Sequence, residues 1–360
     1  MPDSAAMTFT LPEPFAGWFA ARGWQARPHQ LALAEASLAG ESALLIAPTG
    51  GGKTLAGFLG SLIELRDKAL RSNTGIPALH TLYISPLKAL AVDVQRNLMA
   101  PVGDMDLAIR IEARTGDTPA HVRQRQRRNP PDILLTTPEQ LALFIASDHA
   151  REFFADLKCV IIDEVHAMAA SKRGDLLSLG LSTLASWAPA CRFIGLSATV
   201  KEPDELARWL APDVRIIRAA GGVSAEVDIL VSRERIPWSG HSGRFAVPEV
   251  YEAIRKAEMA LVFVNTRAQA EVMFQELWRA NEDNLPIALH HGSLAREQRV
   301  RVEAAMAAGQ LKAVVCTSTL DLGIDWGEVD LVIQMGAPKG AARLVQRIGR
   351  ANHRMDEASR

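Results

Sequence analysis

Cysteine is scarce: Cys159, Cys191 and Cys316 are the only three in 360 residues. They are odd in number, far apart and embedded in apolar runs. That pattern excludes a disulfide framework or a clustered zinc site and predicts buried, reduced thiols of a cytosolic protein. Long hydrophobic runs are lacking as well. Apolar residues make up 48% of the chain, but no stretch approaches the ~20 consecutive apolar residues of a membrane-spanning helix. The opening residues, MPDSAAMTFT, have neither a basic segment nor a long apolar one, so no signal peptide is expected. No internal repeat or low-complexity tract is present. A net charge of −1 gives no global basic field to attract nucleic acid, although a balanced total can hide a local basic track. The expected setting is therefore cytoplasmic, with no membrane partner.

What is present is alternation. The length predicts two globular domains. Short apolar or β-branched runs at 43–46, 81–84, 133–136, 159–162 and 192–196 predict strands. Helical stretches lie among them at 55–70, 87–99, 139–146 and 203–209. Such a pattern specifies an α/β fold with a doubly wound parallel sheet, in which ligands bind at the carboxyl ends of strands. The pattern breaks at AAGGVSAE, near residue 220, and at PWSGHSGRFAVP, residues 237–248. It resumes with strands expected at 261–264, 287–290, 313–316 and 331–334, and helices at 248–258, 267–280, 295–308 and 341–351. Two α/β domains are therefore expected, over 1–220 and 225–360. The second is short, ends soon after its last charged motif, and predicts a piece of a longer protein.

The stretch APTGGGKT, residues 47–54, follows one predicted strand and opens a helix. Gly50, Gly51 and Gly52 let the backbone curl until its N–H groups face phosphates. Lys53 would reach the β/γ-phosphates of ATP and Thr54 would ligate Mg²⁺. The helix N-terminus adds its positive dipole end. The bland reading is a glycine turn, which the strand–loop–helix context argues against. DEVH, residues 163–166, ends another predicted strand. Asp163 would hold Mg²⁺, and Glu164 would orient and deprotonate an attacking water. Alone, such an acidic pair is often a solvated turn; beside a phosphate loop it reads as catalytic. Gln30 could pair with an adenine edge through its amide, with Trp24 near enough in sequence to stack on the base, although glutamines usually face water. Near the chain's end lie Gln346, Arg347 and Arg350. An arginine reaching a nucleotide from a second domain can stabilise phosphoryl transfer; a basic helix face is the alternative. Ser197, Ala198 and Thr199 end a strand and could couple a nucleotide site to a neighbouring surface, or simply make a turn or cap.

A further set has the chemistry to grip a strand of nucleic acid. Ser85 and Pro86, Thr115 and Gly116, Thr136 and Thr137, Asn265 and Thr266, His291 and Gly292, and Thr317 and Ser318 all follow predicted strands or start helices. Hydroxyls, backbone N–H groups and helix N-termini contact sugar-phosphate without reading sequence. Each alone is an ordinary cap; six at equivalent sheet edges suggest a track. HVRQRQRRNP, residues 121–130, adds a local basic patch or a solvated helix face.

In order, these motifs resemble those of superfamily 2 helicases: APTGGGKT, SPLKAL, TGDT, TTPEQL, DEVH, SAT, FVNTR, HHGSL, TSTLDLGID and QRIGR. The resemblance covers nearly the whole chain and implies two RecA-like domains in tandem. Longer stretches such as RTGDTPAHVRQRQRRNPPDILLTTPEQLALFI and TLDLGIDWGEVDLVIQMGAPKG are similar to the large helicase-related (Lhr) family of bacterial DEXH-box proteins. QRIGRANHRMDE looks like its ligase-associated branch. That family implies ATP- and Mg²⁺-dependent translocation 3′ to 5′ on single-stranded DNA, with unwinding of a tailed duplex or an RNA–DNA hybrid. It also implies a place in DNA repair and a functional link to a DNA ligase and nuclease. Carried over by position, Lys53, Thr54, Asp163 and Glu164 match its catalytic core. Gln346 and Arg350 match the last motif, with Arg350 as the finger. The resemblance further implies that Gly323 approaches the γ-phosphate and that Asp325 holds the finger arginines; Arg354 lies one residue past the position of the family's second finger, and its role as that finger stays open. The sequence departs from the wider pattern here: Asn352 stands where glycine is common and His353 where a second arginine is common. A winged-helix domain and further C-terminal domains follow the pair in this family, and processive unwinding is expected to need them. An RNA-directed helicase, or a nucleotide-dependent binding module without unwinding, are the alternatives.

Overall fold

The computed structural model describes residues 9–48, 50–71, 78–169, 171–198, 200, 202–220, 226–234, 243–321, 329–338, 340–349 and 351. Apart from the short segment Pro48–Gly51, the chain divides into two compact units on either side of Ala220. The first opens with α1 (Phe15–Ala21) and α2 (Pro28–Leu38). Then come β1 (Ala43–Ile46), α3 (Lys53–Arg71), β2 (Thr81–Ile84), α4 (Lys88–Asp104), β3 (Ile111–Arg114), α5 (Ala120–Arg128), β4 (Ile133–Thr136), α6 (Pro138–Ile145) and α7 (Ala150–Phe153). The unit closes with β5 (Cys159–Ile162), α8 (Val165–Ala169), α9 (Lys172–Trp187), β6 (Arg192–Ser197), α10 (Pro203–Leu210) and β7 (Arg215–Arg218).

Among the described residues the seven strands form one sheet in the order β3-β4-β2-β5-β6-β1-β7, and every pairing is parallel. The inner strands β2, β4, β5 and β6 are buried along their whole length, because helices cover both faces of such a sheet. One face packs Phe58, Leu62, Tyr83 and Ile161 under α2, α3 and α4; the other packs Leu82, Leu134, Phe144 and Leu181. The edges are more polar: β3 reads IEAR and β7 reads RIIR, as edge strands do when charge blunts their free side.

The second unit holds α11 (Val247–Lys256), β8 (Ala260–Phe263), α12 (Arg267–Arg279), β9 (Ile287–His290), α13 (Arg296–Ala307), β10 (Ala313–Cys316), a single 3₁₀ turn (Ser318–Leu320), β11 (Leu331–Gln334) and α14 (Ala341–Ile348). Among its described residues the sheet order is β11-β8-β10-β9, again all parallel. Both sheets therefore present every strand's carboxyl end on one edge, and the motif residues follow those ends.

Strands β3 and β7 and helices α1, α2, α7, α8 and α9 are additional to the sequence expectation. The strands β3 and β7 are added at the sheet's edges, where apolar signal is weakest. The 16-residue helix α9 is added between β5 and β6. Its two glycines lower its helical signal, but the first is required by packing. A Cβ on Gly174 would lie 2.2 Å from the carbonyl oxygen of Met168, and Gly180 sits against Leu141 and Ile145. Ser171 caps this helix, its hydroxyl accepting from the Gly174 N–H.

Candidate functional site

The first unit's carboxyl edge divides by strand order. On β5, β6 and β1 lie DEVH, Ser197 and the glycine loop; on β3, β4 and β2 lie Thr115, Thr136 and Ser85. Strands are about 4.8 Å apart, so the two halves adjoin along one edge.

At the β1 half, the loop turns where only glycine is relaxed: Gly50 has φ 75° and Gly52 φ 69°. Gly51 N–H donates to Pro48 at 3.1 Å. Lys53 opens α3, is nearly buried, and donates through Nζ to the Ala47 carbonyl at 2.9 Å. Thr54 follows it in the first helical turn, and Gly51 is buried while Gly52 is exposed. Gln30 is not solvated as a bland glutamine would be; it is 5% exposed. Its Oε1 accepts from the Arg27 N–H at 2.9 Å and its Nε2 donates to the Gly52 carbonyl at 3.3 Å. The amide thereby braces the loop, and a Cβ on Gly52 would meet Nε2 at 2.6 Å. Trp24 is 54% exposed and packs edge-on against Trp18.

At the end of β5, Asp163 and Glu164 are both buried. Tyr83 of β2 donates its hydroxyl to Asp163 Oδ2, and the Glu164 N–H donates to Oδ1 at 2.8 Å. Burial, then the neighbouring Glu164 carboxylate, pushes the Asp163 carboxyl up to about 6. Tyr83 is driven well above its ordinary value by burial and by the Asp163 carboxylate. Glu164 has φ 46°, a left-handed backbone for a side chain with a Cβ. Such local strain clusters at functional sites. Its Oε2 is buried with no hydrogen-bond partner. His166 Nδ1 lies 3.5 Å from it. Burial holds the His166 imidazole below its ordinary value, so at neutral pH it offers Glu164 no charge. Instead, His166 Nδ1 is paired with Ser197 Oγ at 2.8 Å. That bond ties the end of β6 to DEVH and replaces a simple turn or cap at Ser197. Thr199 lies outside the described residues.

The residues fit a magnesium nucleotide. Positive-φ glycines, a buried lysine and a buried carboxylate with an unpartnered oxygen lie at the carboxyl ends of β1 and β5, with β6 between them. Among the described residues no cluster of three or more His, Cys, Asp or Glu could hold a metal alone. Thr54 and Asp163 would hold Mg²⁺ only together with phosphate oxygens and water, the usual manner of that ion.

The remaining candidates sort by exposure. Gly116, Thr266, Gly292 and Ser318 are exposed; Ser85, Pro86, Thr115, Thr136, Thr137, His291 and Thr317 are buried, and Asn265 is half-buried. The buried hydroxyls shape their own loops. Thr136 Oγ1 donates to the Arg114 carbonyl at 2.8 Å, Thr115 Oγ1 accepts from the Asp117 N–H at 3.3 Å, and Ser85 Oγ donates to the Leu87 carbonyl at 3.1 Å. Thr266 caps α12, accepting from the Gln269 N–H. Asn265 Nδ2 donates to the Ala337 carbonyl at 2.9 Å. The basic stretch at 121–130 is α5. Arg123 on it donates to the carbonyls of Thr118 and Gly116, at 2.8 and 2.9 Å, and so holds the TGDT loop.

In the second unit, Gly323, Asp325, Arg350 and Arg354 lie outside the described residues, as does the side chain of Gln346. Sequence reasoning missed a carboxylate close by. Asp321 accepts from Arg347 Nε at 2.7 Å and lies 3.4 Å from Arg343 Nε. The signal available was its spacing: TLDLGID carries two aspartates, and only the second was singled out. Tyr83 was missed because nothing local marks a tyrosine in an apolar strand.

The comparisons agree with this geometry. Residues 27–206 match the DEAD/DEAH box helicase family and residues 246–355 the helicase conserved C-terminal domain. The Lhr helicase/probable uracil glycosylase of Mycolicibacterium smegmatis is 37% identical over 390 residues, covering 95% of this chain and 26% of that protein. The ATP-dependent helicase Lhr-Core of Sulfolobus acidocaldarius is 35% identical over 377 residues, covering 100% of this chain and 43% of that one. The structure of Mycobacterium smegmatis helicase Lhr bound to ssDNA and AMP-PNP is similar with a TM-score of 0.82 at 38% identity, over 97% of this chain and 47% of that one. The chain thus spans less than half the length of these relatives. With two tandem RecA-like units, a phosphate loop beside DEVH, and half its length on the family's model, the chain belongs to the DEAD/DEAH box helicases.

Proposed function

We propose that this chain is the ATP-hydrolysing motor core of an Lhr-type helicase, moving 3′ to 5′ on single-stranded DNA. The observation that carries this reading is Glu164. Its carboxylate is buried, strained in backbone and unpartnered at Oε2, beside Asp163 and on the same sheet edge as the glycine loop. A base meant to take a proton from water needs a free oxygen of this kind.

Lys53 and the N–H groups of residues 50–54 hold the phosphates of ATP and screen their charge. Thr54 and Asp163 hold Mg²⁺, which supplies charge neutralisation at the phosphates. Glu164 orients a water and accepts its proton. His166, kept neutral and bonded to Ser197, ties the ends of β5 and β6 together, and Tyr83 of β2, donating to Asp163, links this machinery to the adjoining half of the edge. There the exposed backbone at Gly116, and in the second unit Gly292 and Ser318, contacts sugar-phosphate without reading bases. The family resemblance assigns Gln346, Arg350 and Arg354 roles in hydrolysis, with Gly323 and Asp325 supporting them. The units are assigned as 1–220 and 225–360. Tailed duplexes and RNA–DNA hybrids are the expected unwinding substrates, and DNA repair beside a ligase the expected context. Processive unwinding draws on parts of the relatives' length that this chain does not span.

Steady-state ATP hydrolysis with and without single-stranded DNA tests the reading, with Glu164→Gln as control. Strong stimulation that the variant abolishes is expected. Hydrolysis indifferent to DNA would remove the proposed coupling, and stimulation by RNA in preference to DNA would change the track.

A further inference from the structure

Within the second unit, one chain of side-chain contacts joins elements that the proposed mechanism does not connect. His290 ends β9 and is buried. Its Nε2 is 3.0 Å from Glu303 Oε1 on α13, and its Nδ1 is 2.8 Å from Thr319 Oγ1 in the 3₁₀ turn after β10. Burial holds the imidazole below its ordinary value against the pull of Glu303, so the neutral ring prevails. The arrangement then has one consistent tautomer. Nε2–H donates to the Glu303 carboxylate, and Nδ1 accepts the Thr319 hydroxyl proton. Were both nitrogens protonated, Thr319 could turn only to the His290 carbonyl, at 3.4 Å.

The turn that Thr319 sits in is a small object between two consequential ends. It begins directly after Thr317, whose N–H donates to the His290 carbonyl at 3.3 Å, and it includes the exposed Ser318. It is followed at once by Asp321, which pairs with Arg347 of α14. A single 3₁₀ turn has few hydrogen bonds of its own. Its orientation therefore depends on side chains from outside it, and Asp321 fixes only one end.

We propose that Glu303 is a positioning residue: acting through His290 on Thr319, it fixes the turn that carries Ser318 and Asp321 and so sets how strongly a bound nucleic-acid strand stimulates ATP hydrolysis. Glu303 lies on α13, in none of the motifs that hold nucleotide or strand. Its oxygen acts as a hydrogen-bond acceptor that locks the ring's tautomer, not as a charge, so a neutral acceptor of the same shape serves equally. The inference rests on the strand-stimulated motor proposed above.

Its test uses the whole chain and two readouts. The first is ATP hydrolysis against the concentration of a single-stranded DNA oligonucleotide. The second, which needs no nucleic acid, is amide hydrogen exchange over residues 317–321. Glu303→Leu is expected to raise the half-saturating DNA concentration about tenfold, the loss of one hydrogen bond. DNA-free hydrolysis is unchanged, and exchange over 317–321 quickens. Glu303→Gln keeps the acceptor and is expected to match the parent chain in both. Thr319→Val, which deletes the hydroxyl at constant shape, is expected to repeat the Glu303→Leu pattern, and Thr319→Ser to restore it. Equal defects in Glu303→Gln and Glu303→Leu, or exchange unchanged in Glu303→Leu, overturn the proposal. Should the parent chain ignore DNA altogether, the motor reading fails, and the proposal that depends on it falls with it. Exchange then shows separately whether Glu303 still orders the turn.

Discussion

Arg347 donates through Nε to Oδ1 of Asp321 at 2.7 Å, with both side chains buried. Its Nη1 donates to Gln334 Oε1 at 2.6 Å and its guanidinium lies 4.5 Å from the centre of the Phe263 ring. One arginine of α14 thus engages the turn after β10, the end of β11 and the end of β8. Removing one member of a buried pair strands the other's charge, at a cost of about 3–5 kcal/mol. Asp321→Ala is expected to lower the stability of the second unit by that amount in urea unfolding. Replacing both partners, Asp321→Leu with Arg347→Met, is expected to cost much less than either single change. Additive losses would show that the two side chains are independent.

The glycine loop makes a second prediction. Gly52→Ala puts a Cβ at φ 69° and 2.6 Å from Gln30 Nε2. The left-handed backbone alone costs about 1–2 kcal/mol, and the collision displaces the amide that braces the Gly52 carbonyl. Nucleotide affinity is expected to fall at least tenfold, measured by fluorescent-nucleotide titration. If Gln30→Ala partly relieves Gly52→Ala in the double variant, the collision is the cause; if not, the backbone is.

Asp163 carries a stability cost that its function requires. Its carboxyl is raised to about 6 by burial first and by Glu164 second, above the unfolded value near 3.9. For a raised pKa the stabilising contribution is full below the unfolded value and is lost as pH rises through the folded one. As pH rises through the folded value, without nucleotide or Mg²⁺, ionised Asp163 therefore opposes folding. Asp163→Asn is expected to raise the melting temperature at pH 8, to lose that advantage at pH 4, and to abolish hydrolysis at both. A lower melting temperature at pH 8 would mean that Tyr83 and Lys53 already compensate the charge.

Legibility in the sequence followed burial. Strands covered on both faces are continuous apolar runs, so β2, β4 and β5 were readable to the residue. The edges β3 and β7 were not, because IEAR and RIIR carry the charges that protect an edge. The glycine loop and DEVH were legible because their chemistry is local. Gln30 looked like a surface residue because its partner, the Gly52 carbonyl, lies 22 residues away. The relay of Glu303, His290 and Thr319 was invisible for the same reason, its links spanning 13 and 29 residues. Asp321 was passed over because its partner Arg347 lies 26 residues away.

At the opposite, amino-terminal edge of the first sheet, Glu64 of α3 has the reverse pH signature. Arg192 opens β6 and is 4% exposed; it grips both Glu64 oxygens and donates through Nε to Ser37 Oγ at 2.8 Å. His80 Nε2 lies 3.3 Å from the same carboxylate. Burial alone would raise the Glu64 pKa, but the hydrogen bonds from His80 and Arg192 outweigh it and hold the carboxyl below its ordinary value. A depressed pKa contributes stability that is present above the unfolded value, near 4.3, and lost as pH falls through the folded one. The parent chain is therefore expected to lose stability on acidification from about pH 5 downward, with Glu64 among the causes. Glu64→Gln is expected to be less stable than the parent at pH 7, because buried Arg192 loses its counter-charge, and to show a shallower acid limb. The two urea-midpoint curves should converge as pH falls. Parallel curves would mean that Arg192 is held by Ser37 and its surroundings and that Glu64 is dispensable to the fold.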